Sequence, residues 1–189
     1  IDSKKDSLHP RKKNRPIPSG KITRNQAIIL ITTLLVISEI FAILLNVQFF
    51  ILNSILIASM IIYSIKIKNI FLMDVFSIAI NYVFRAMSGA YLIDVKISPW
   101  LIVGIFLLAL LLAFGKRKSE LMFLDKNLLE FRHVLKQYSQ KILNYAIIIT
   151  AAAVILVYSI YAINGPEQIG DWRLIITIPV ALFILISYL

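Results

Sequence analysis

The sequence predicts an all-α fold, a polytopic bundle of transmembrane helices. Of the 189 residues, 59% are hydrophobic, and several apolar runs are long enough to cross a bilayer as helices. Irregular backbone cannot face lipid, so a helix is the spanning structure that such runs favour. The 20 Lys and Arg residues are concentrated in alternate connections between the runs, as in many membrane proteins.

Six apolar runs mark the predicted spans. They cover residues 27–45, 48–65, 70–93, 98–114, 145–163 and 174–189. The connection at 46–48 is so short that the first two spans are expected to form a tight helical hairpin. The chain has no cysteine, which excludes disulfides and cysteine-based metal sites within it.

The distribution of positive charge predicts how the bundle is oriented. If the N-terminal segment is cytoplasmic, all the Lys and Arg residues except Arg85, Lys96 and Arg173 lie on the cytoplasmic side or at its border. This satisfies the positive-inside rule. The net charge of +10 is then explained by topology, and no nucleic-acid partner is expected. Nothing in the pattern indicates an oligomeric state.

The polar segment 1–25 carries the first candidate site. Three prolines in the stretch DSLHPRKKNRPIPSG (residues 6–20) exclude a regular helix there. Before and within it, Asp2 and Asp6 place two carboxylates four residues apart, a pattern that suits Mg²⁺ bridged to substrate phosphates. Lys12 and Arg15 follow, and their cationic side chains suit phosphate oxygens. The segment therefore predicts a diphosphate site in outline.

The third span carries polar side chains at membrane depth. Asp74, Asn81, Arg85 and Ser88 are spaced so that they share one face of a helix. A charge at this depth normally faces a cavity or a partner. The face is therefore either a polar network that stabilises the bundle or the wall of a site for an anionic ligand. Glu39 in the first span is a candidate counter-charge for Arg85.

The connection at about 115–144 carries the second candidate site. It begins with GKRKSEL, in which Lys116 and Arg117 are followed by Glu120. Apolar residues then recur at helical spacing, which predicts an amphipathic helix. We interpret this helix as lying on the membrane surface or as a lid over a cavity between the spans, and the two interpretations are compatible. The members of the stripe are Leu121, Leu124, Leu128, Phe131, Leu135 and Tyr138.

These motifs resemble those of the UbiA-type intramembrane transferases. The segment from Asp2 to Gly20 is similar to the end of that family's first aspartate-rich motif, with Asp2 and Asp6 aligned to its second and third aspartates. HPRKKNRPI, GKRKSEL and FRAMSGAYLIDVKISPW are similar to the branch that transfers phosphoribose to polyprenyl phosphates. Because family members have about nine spans, the resemblance implies that this chain is a fragment of a nine-span protein. Residues 1–189 would then form one incomplete transferase domain, with 1–25 and 115–144 as its cytoplasmic active-site loops.

The resemblance implies a reaction and roles for residues. Phosphoribosyl diphosphate would bind from the cytoplasm with Mg²⁺, and a polyprenyl phosphate from the bilayer would accept the phosphoribose, giving a precursor for cell-envelope polysaccharide. The expected setting is the bacterial inner membrane. The implied metal ligands are Asp2 and Asp6; the implied phosphate contacts are Lys12, Arg15, Lys116 and Arg117; Glu120 would bind ribose hydroxyls; and Asp74, Asn81 and Arg85 would line the cavity.

Two other functions stay open at this point. An ordinary UbiA-type prenyltransferase would move a prenyl chain from its diphosphate to a small acceptor, but such enzymes carry a second DxxxD motif. Here Asp125 is followed by Glu130, which is the wrong spacing. A transporter or a non-catalytic protein that binds lipid phosphate is the third possibility. Internal repeats, which are common in transporters, are not evident.

Overall fold

The computed structural model describes residues 12–123, 133–164 and 172–188. Within these ranges the chain forms α-helices joined by short connections, without β-strands, which confirms the all-α prediction. The helices are α1 (Arg24–Leu45), α2 (Val47–Ile65), α3 (Met73–Leu92), α4 (Pro99–Phe123), α5 (Gln140–Asn164) and α6 (Trp172–Tyr188). Short stretches of 3₁₀-helix occupy Lys12–Asn14, Ile67–Asn69 and His133–Gln137.

Each of the six predicted spans corresponds to one of these helices. By length and composition, α1, α2, α4 and α5 could each cross a membrane. Helix α3 has 20 residues, but its polar and charged side chains lower its hydropathy. Helix α6 has 17 residues, with Pro179 inside it. These two helices therefore occupy the predicted positions with a weaker membrane-spanning signal than the other four.

Asn46 makes the tight connection between α1 and α2. It is extended (φ −164°, ψ 134°), and it ends α1 and begins α2 at the same residue. Its side-chain Oδ1 accepts hydrogen bonds from the backbone N–H groups of Gln48, at 2.7 Å, and Phe49, at 3.3 Å. Asparagine is a favoured N-cap because it satisfies these otherwise unpaired donors. The predicted helical hairpin is confirmed.

The polar segment before α1 ends in a turn and a helix cap. Gly20 has φ +78°, a conformation that favours glycine, and its N–H donates to the carbonyl of Ile17 at 3.1 Å. Thr23 then accepts a hydrogen bond from the backbone of Gln26, whose side chain accepts from the backbone of Thr23. This capping box sets the start of α1.

The helices pack mainly in sequence order, and the buried core lies where α3, α4 and α5 meet. Each of the helices α2 to α5 contacts the next one along the chain, and α4 and α5 share an extensive interface. Val75, Leu111 and Leu143 are completely or almost completely buried in this core. Helices α1 and α2 expose most of their apolar side chains, as expected of helices that face lipid.

The structure changes the boundaries of the predicted 115–144 connection. Helix α4 continues to Phe123, so the GKRKSEL motif is the last part of a helix rather than a loop. Residues 124–132 lie outside the described part of the chain. The segment His133–Gln137 is 3₁₀-helix rather than α-helix, and Val134 and Leu135 are buried in it. The described end of the predicted stripe therefore packs into the bundle and does not lie on the membrane surface.

Candidate functional site at the junction of α3 and α4

Arg117 and Asp74 form a buried ion pair where the end of α4 meets the start of α3. The Nε–H of Arg117 donates to Oδ2 of Asp74 at 2.6 Å, and the two side chains are 4% and 0% exposed. Asp74 lies in the first turn of α3, and Arg117 lies near the carboxyl end of α4. The negative charge of Asp74 therefore interacts favourably with the dipole of α3.

A second carboxylate shares the guanidinium of Arg117. Its Nη1 donates to Oε2 of Glu120 at 2.6 Å, one turn further along α4. Its Nη2 makes a longer hydrogen bond, 3.4 Å, to the hydroxyl of Tyr63 on α2. Lys116, the preceding residue, is exposed. The helix end thus presents one exposed cation beside a guanidinium that is held mainly by two carboxylates.

Tyr138, in the connection before α5, completes this arrangement. Its hydroxyl donates to Oδ1 of Asp74 at 2.7 Å and accepts the backbone N–H of Leu72 at 3.1 Å. Its ring packs against Phe71, with the ring centroids 4.6 Å apart. Burial, and then the hydrogen bond to Asp74, raise the pKa of Tyr138 above the usual phenol value. The hydroxyl therefore keeps its proton at neutral pH. We call Asp74, Arg117, Glu120 and Tyr138 the Arg117 cluster.

The other polar residues of α3 separate into two groups. Asn81 and Ser88 are buried, like Asp74. The Oδ1 of Asn81 accepts a hydrogen bond from the hydroxyl of Ser59 on α2, and the Ser88 hydroxyl donates to the carbonyl of Phe84 at 2.7 Å. Arg85 is exposed instead. The polar face of α3 therefore contains Asn81, which joins α3 to α2, and an exposed cation, Arg85.

The candidate pairing of Glu39 with Arg85 is wrong, because both carboxylate oxygens of Glu39 have other partners. Oε1 of Glu39 accepts from the side-chain amide of Asn53 at 2.9 Å, and Oε2 accepts from the Ser54 hydroxyl at 2.7 Å. Both donors lie on α2, which packs beside α1. The short connection between these helices brings nearby neutral donors to Glu39, and they satisfy it without a cation. We call Glu39, Asn53 and Ser54 the Glu39 cluster.

A groove of about 560 Å³ lies along the Glu39 cluster between α1 and α2. Glu39 and Ser54 are its polar lining residues, and the other side chains along it are apolar. Of the site residues predicted from the sequence, those that the structure describes do not line this groove. The groove is therefore separate from the Arg117 cluster.

The first predicted motif lies largely outside the described residues. Asp2 and Asp6 precede residue 12, so their predicted metal site stays a prediction. Lys12 begins the 3₁₀ turn Lys12–Asn14, and Arg15 is exposed. Among the residues that the structure describes, no group of three or more His, Asp or Glu side chains could hold a metal ion. The described carboxylates Asp74 and Glu120 share a guanidinium instead.

Two tyrosines of the site were not among the residues predicted from the sequence. Tyr63 lies near the end of a predicted span, a position typical of an interfacial anchor, and Tyr138 was interpreted as a member of an apolar stripe. Both have an apolar body with a polar tip, and a buried tyrosine hydroxyl usually finds a hydrogen-bond partner. For Tyr138 the signal was its position, the last in the stripe and on the same predicted side as Lys116 and Arg117. The identity of its partner, Asp74, comes from the fold alone.

The fold and the site define an integral membrane protein of the polytopic helical class, with charged groups gathered at one helix junction. The sequence profile described as the UbiA prenyltransferase family matches residues 1–189. The chain therefore belongs to the UbiA prenyltransferase family.

Curated relatives give a narrower comparison. The chain is 25% identical over 193 residues to a decaprenyl-phosphate phosphoribosyltransferase of Mycolicibacterium smegmatis, covering 97% of this chain and 61% of that protein. It is 25% identical to the protein of that name in Mycobacterium tuberculosis, with the same coverage. It is 24% identical to the one in Corynebacterium glutamicum, of which it covers 57%. The chain thus spans about three fifths of the length of the relatives that it matches.

Proposed function

We propose that this chain belongs to an intramembrane transferase that moves phosphoribose from phosphoribosyl diphosphate to a polyprenyl phosphate. The observation that carries the proposal is the Arg117 cluster, which orders the charged end of α4 beside the start of α3. Relatives that match 97% of the chain and are named decaprenyl-phosphate phosphoribosyltransferase support the same reaction class.

The exposed cation at the end of α4, Lys116, suits an anionic substrate. Asp74 and Glu120 are both hydrogen-bonded to Arg117, so three charges of mixed sign are held together. Lys116 adds an exposed cation next to them. An ammonium group is a compact charge that can approach a phosphate oxygen, whereas the buried guanidinium is held in place by its carboxylates. We assign Lys116 to direct phosphate contact and Arg117 to the same site, with Glu120 close enough to bind ribose hydroxyls.

The first motif would supply the rest of the diphosphate site. In this proposal Asp2 and Asp6 hold Mg²⁺, and Lys12 and Arg15 contact phosphate oxygens. The metal would neutralise charge that develops on the departing diphosphate. Oxygen ligands and a bridging substrate phosphate are the usual surroundings of Mg²⁺ in proteins.

The reaction itself needs one bond to form and one to break. A phosphate oxygen of the lipid attacks the anomeric carbon of the ribose, and the bond from that carbon to the diphosphate oxygen breaks. Diphosphate leaves with the bonding electron pair, and cationic groups stabilise its charge. The lipid phosphate is already ionised at neutral pH, so no strong base is required. Asn81 and the exposed Arg85 would line the route by which the lipid phosphate approaches.

The proposed setting follows from the charge distribution. Arg117 and Lys116 lie on the side of the membrane that the positive-inside rule assigns to the cytoplasm, where a soluble sugar diphosphate is available. The product, a lipid-linked phosphoribose, would serve as a precursor for envelope polysaccharide in a bacterial inner membrane.

The family description favours a second candidate, transfer of a prenyl chain from its diphosphate to a small acceptor. The absence of a second DxxxD motif from the sequence of 115–144 weighs against it. Membranes that contain the full-length protein, labelled phosphoribosyl diphosphate and polyprenyl phosphate separate the two. We expect Mg²⁺-dependent transfer of label into the lipid fraction. Consumption of a prenyl diphosphate, without transfer of the ribose label, would support the second candidate instead.

A pair of matched variants tests the metal assignment. Asp6→Asn should abolish Mg²⁺-dependent transfer while the protein still inserts in the membrane. Asp94→Asn is the control, because Asp94 is exposed on the opposite predicted side and its positive φ of 52° is one that asparagine tolerates. Full activity of Asp6→Asn would remove Asp6 from the metal site.

A further inference from the structure

We propose that Tyr138 is a positioning residue, which acts through Asp74 to hold Arg117 and the end of α4 in place for the anionic substrate. The proposal rests on the function proposed above. It concerns a residue that the sequence marked only as part of an apolar stripe, in a connection that is distant along the chain from α3.

The geometry makes Tyr138 the element that completes the surroundings of Asp74. The Tyr138 hydroxyl donates a hydrogen bond to Oδ1 of Asp74, and the Nε–H of Arg117 donates one to Oδ2. With both oxygens bonded from different directions, the carboxylate cannot rotate without breaking one of the two bonds. The direction in which Asp74 presents its lone pairs to Arg117 therefore depends on Tyr138.

The orientation of Asp74 in turn sets the plane of the guanidinium. Arginine carries five N–H donors in a rigid planar fork. Contacts at 2.6 Å to Asp74 and Glu120 fix two points of that plane. The Nη2 group has a longer hydrogen bond, 3.4 Å, to Tyr63, so it is the N–H group of the fork that can most easily donate to another acceptor. Loss of the Tyr138 hydroxyl would let the orientation of the Arg117 guanidinium vary without removing any charge.

The backbone next to Asp74 supports the same role. Leu72 has φ 63°, which is uncommon for a residue with a side chain and persists only where the surroundings hold it. Its N–H donates to the Tyr138 hydroxyl. One hydroxyl thus holds both the strained start of α3 and the carboxylate two residues later. Backbone strain of this kind clusters at functional sites.

Tyr138→Phe is a suitable test because it removes the hydroxyl and leaves the ring that packs on Phe71. Tyr158→Phe is the matched control, since the Tyr158 hydroxyl is hydrogen-bonded to Thr177 between α5 and α6, away from the Arg117 cluster. In the full-length protein we expect Tyr138→Phe to raise the KM for phosphoribosyl diphosphate about tenfold, the loss typical of a hydrogen bond to a charged group. Its kcat should change little, and the control should change neither constant.

A double-mutant cycle tests whether Tyr138 acts through Arg117. In a protein that already carries Arg117→Lys, the planar fork that bonds both Asp74 and Glu120 is gone, so Tyr138→Phe should add little to the KM. An equal effect of Tyr138→Phe with and without Arg117→Lys would overturn the proposal. So would an unchanged KM together with a lowered melting temperature, because that is the result of a purely structural hydrogen bond.

A spectroscopic measurement separates this proposal from the proposed function. The chain has no cysteine, so a spin label at Lys116→Cys reports on the end of α4 without a competing label site in this chain. Tyr138→Phe should make the label more mobile, and Tyr158→Phe should not. If the unlabelled protein, which keeps Lys116, transfers no phosphoribose, the proposed function fails, but increased mobility of the label still supports positioning. Unchanged mobility overturns positioning whatever the reaction.

Discussion

Asp74 and Glu39 are two carboxyl groups of the same bundle that find their partners in different ways. Asp74 is 0% exposed, and it pairs with a cation 43 residues away, Arg117. Glu39 is partly exposed and accepts hydrogen bonds from neutral donors 14 and 15 residues away, Asn53 and Ser54. The first arrangement depends on the tertiary packing of α3 and α4. The second is nearly settled by the α1–α2 hairpin.

The difference between the two clusters has an energetic consequence. A buried ion pair is costly to break because one charge is left without water or a partner. Hydrogen bonds between membrane helices contribute less, on average about 0.6 kcal/mol, because their groups find other partners when the helices separate. The Arg117 cluster should therefore be sensitive to single substitutions, and the Glu39 cluster should be tolerant.

The largest effect is expected for Arg117→Met. It leaves Asp74 buried without its cation and should lower the free energy of unfolding by about 3–5 kcal/mol. Lys116→Met is the matched control, since it removes the neighbouring cation from an exposed position, and it should cost less than about 0.5 kcal/mol. Equilibrium unfolding in mixed micelles measures both. Similar stabilities of the two variants would show that the buried ion pair with Asp74 is not costly to break.

The double variant Asp74→Asn with Arg117→Met should lie between the wild type and Arg117→Met. Removing both charges takes away the uncompensated carboxylate. The amide oxygen of the introduced side chain can still accept the hydrogen bond that the Tyr138 hydroxyl donates to Asp74 in the wild type. The same unfolding measurement should show recovery of part of the stability. A double variant less stable than Arg117→Met would mean that burial of the charge is not the main cost.

Glu39→Gln should have a smaller effect. The amide keeps one acceptor for Asn53 and loses the acceptor for Ser54, so about one interhelical hydrogen bond is affected, or roughly 0.6 kcal/mol. Thermal unfolding in detergent measures the loss of stability in Glu39→Gln and in Arg117→Met, and the two losses show which cluster contributes more. A loss as large as that of Arg117→Met would show that Glu39 has a charged partner in the full-length protein.

Serine substitutions on α2 and α3 should give the smallest effects. Ser59→Ala removes a hydrogen bond between helices, to Asn81, and should cost about 0.6 kcal/mol. Ser88→Ala removes a bond to the backbone of its own helix, which contributes little to helix stability, so it should be close to neutral. The difference between the two unfolding free energies isolates the interhelical contribution. Equal values would show that the Ser59 bond contributes nothing.

Most residues of the site could be predicted from the sequence one by one, but their contacts with one another could not. The sequence marked Asp74 because a charge at membrane depth is unusual, and it marked Arg117 and Glu120 separately, through the GKRKSEL motif. It offered Glu39 as a candidate counter-charge for Arg85, whereas the ion pair that the fold makes joins Arg117 to Asp74. Residue spacing shows which side chains share one helix face, but it does not show which faces of different helices meet.

The sequence by itself determined the class of the fold, the approximate position of every described α-helix and the tight turn at Asn46. These properties follow from local chemistry, namely apolar length, turn-forming residues and the helix-capping side chain of Asn46. Only the tertiary structure decided that Tyr138 and Arg117 share the two oxygens of Asp74. Contacts between residues 43 and 64 positions apart depend on how three elements pack together, and no local pattern encodes that arrangement.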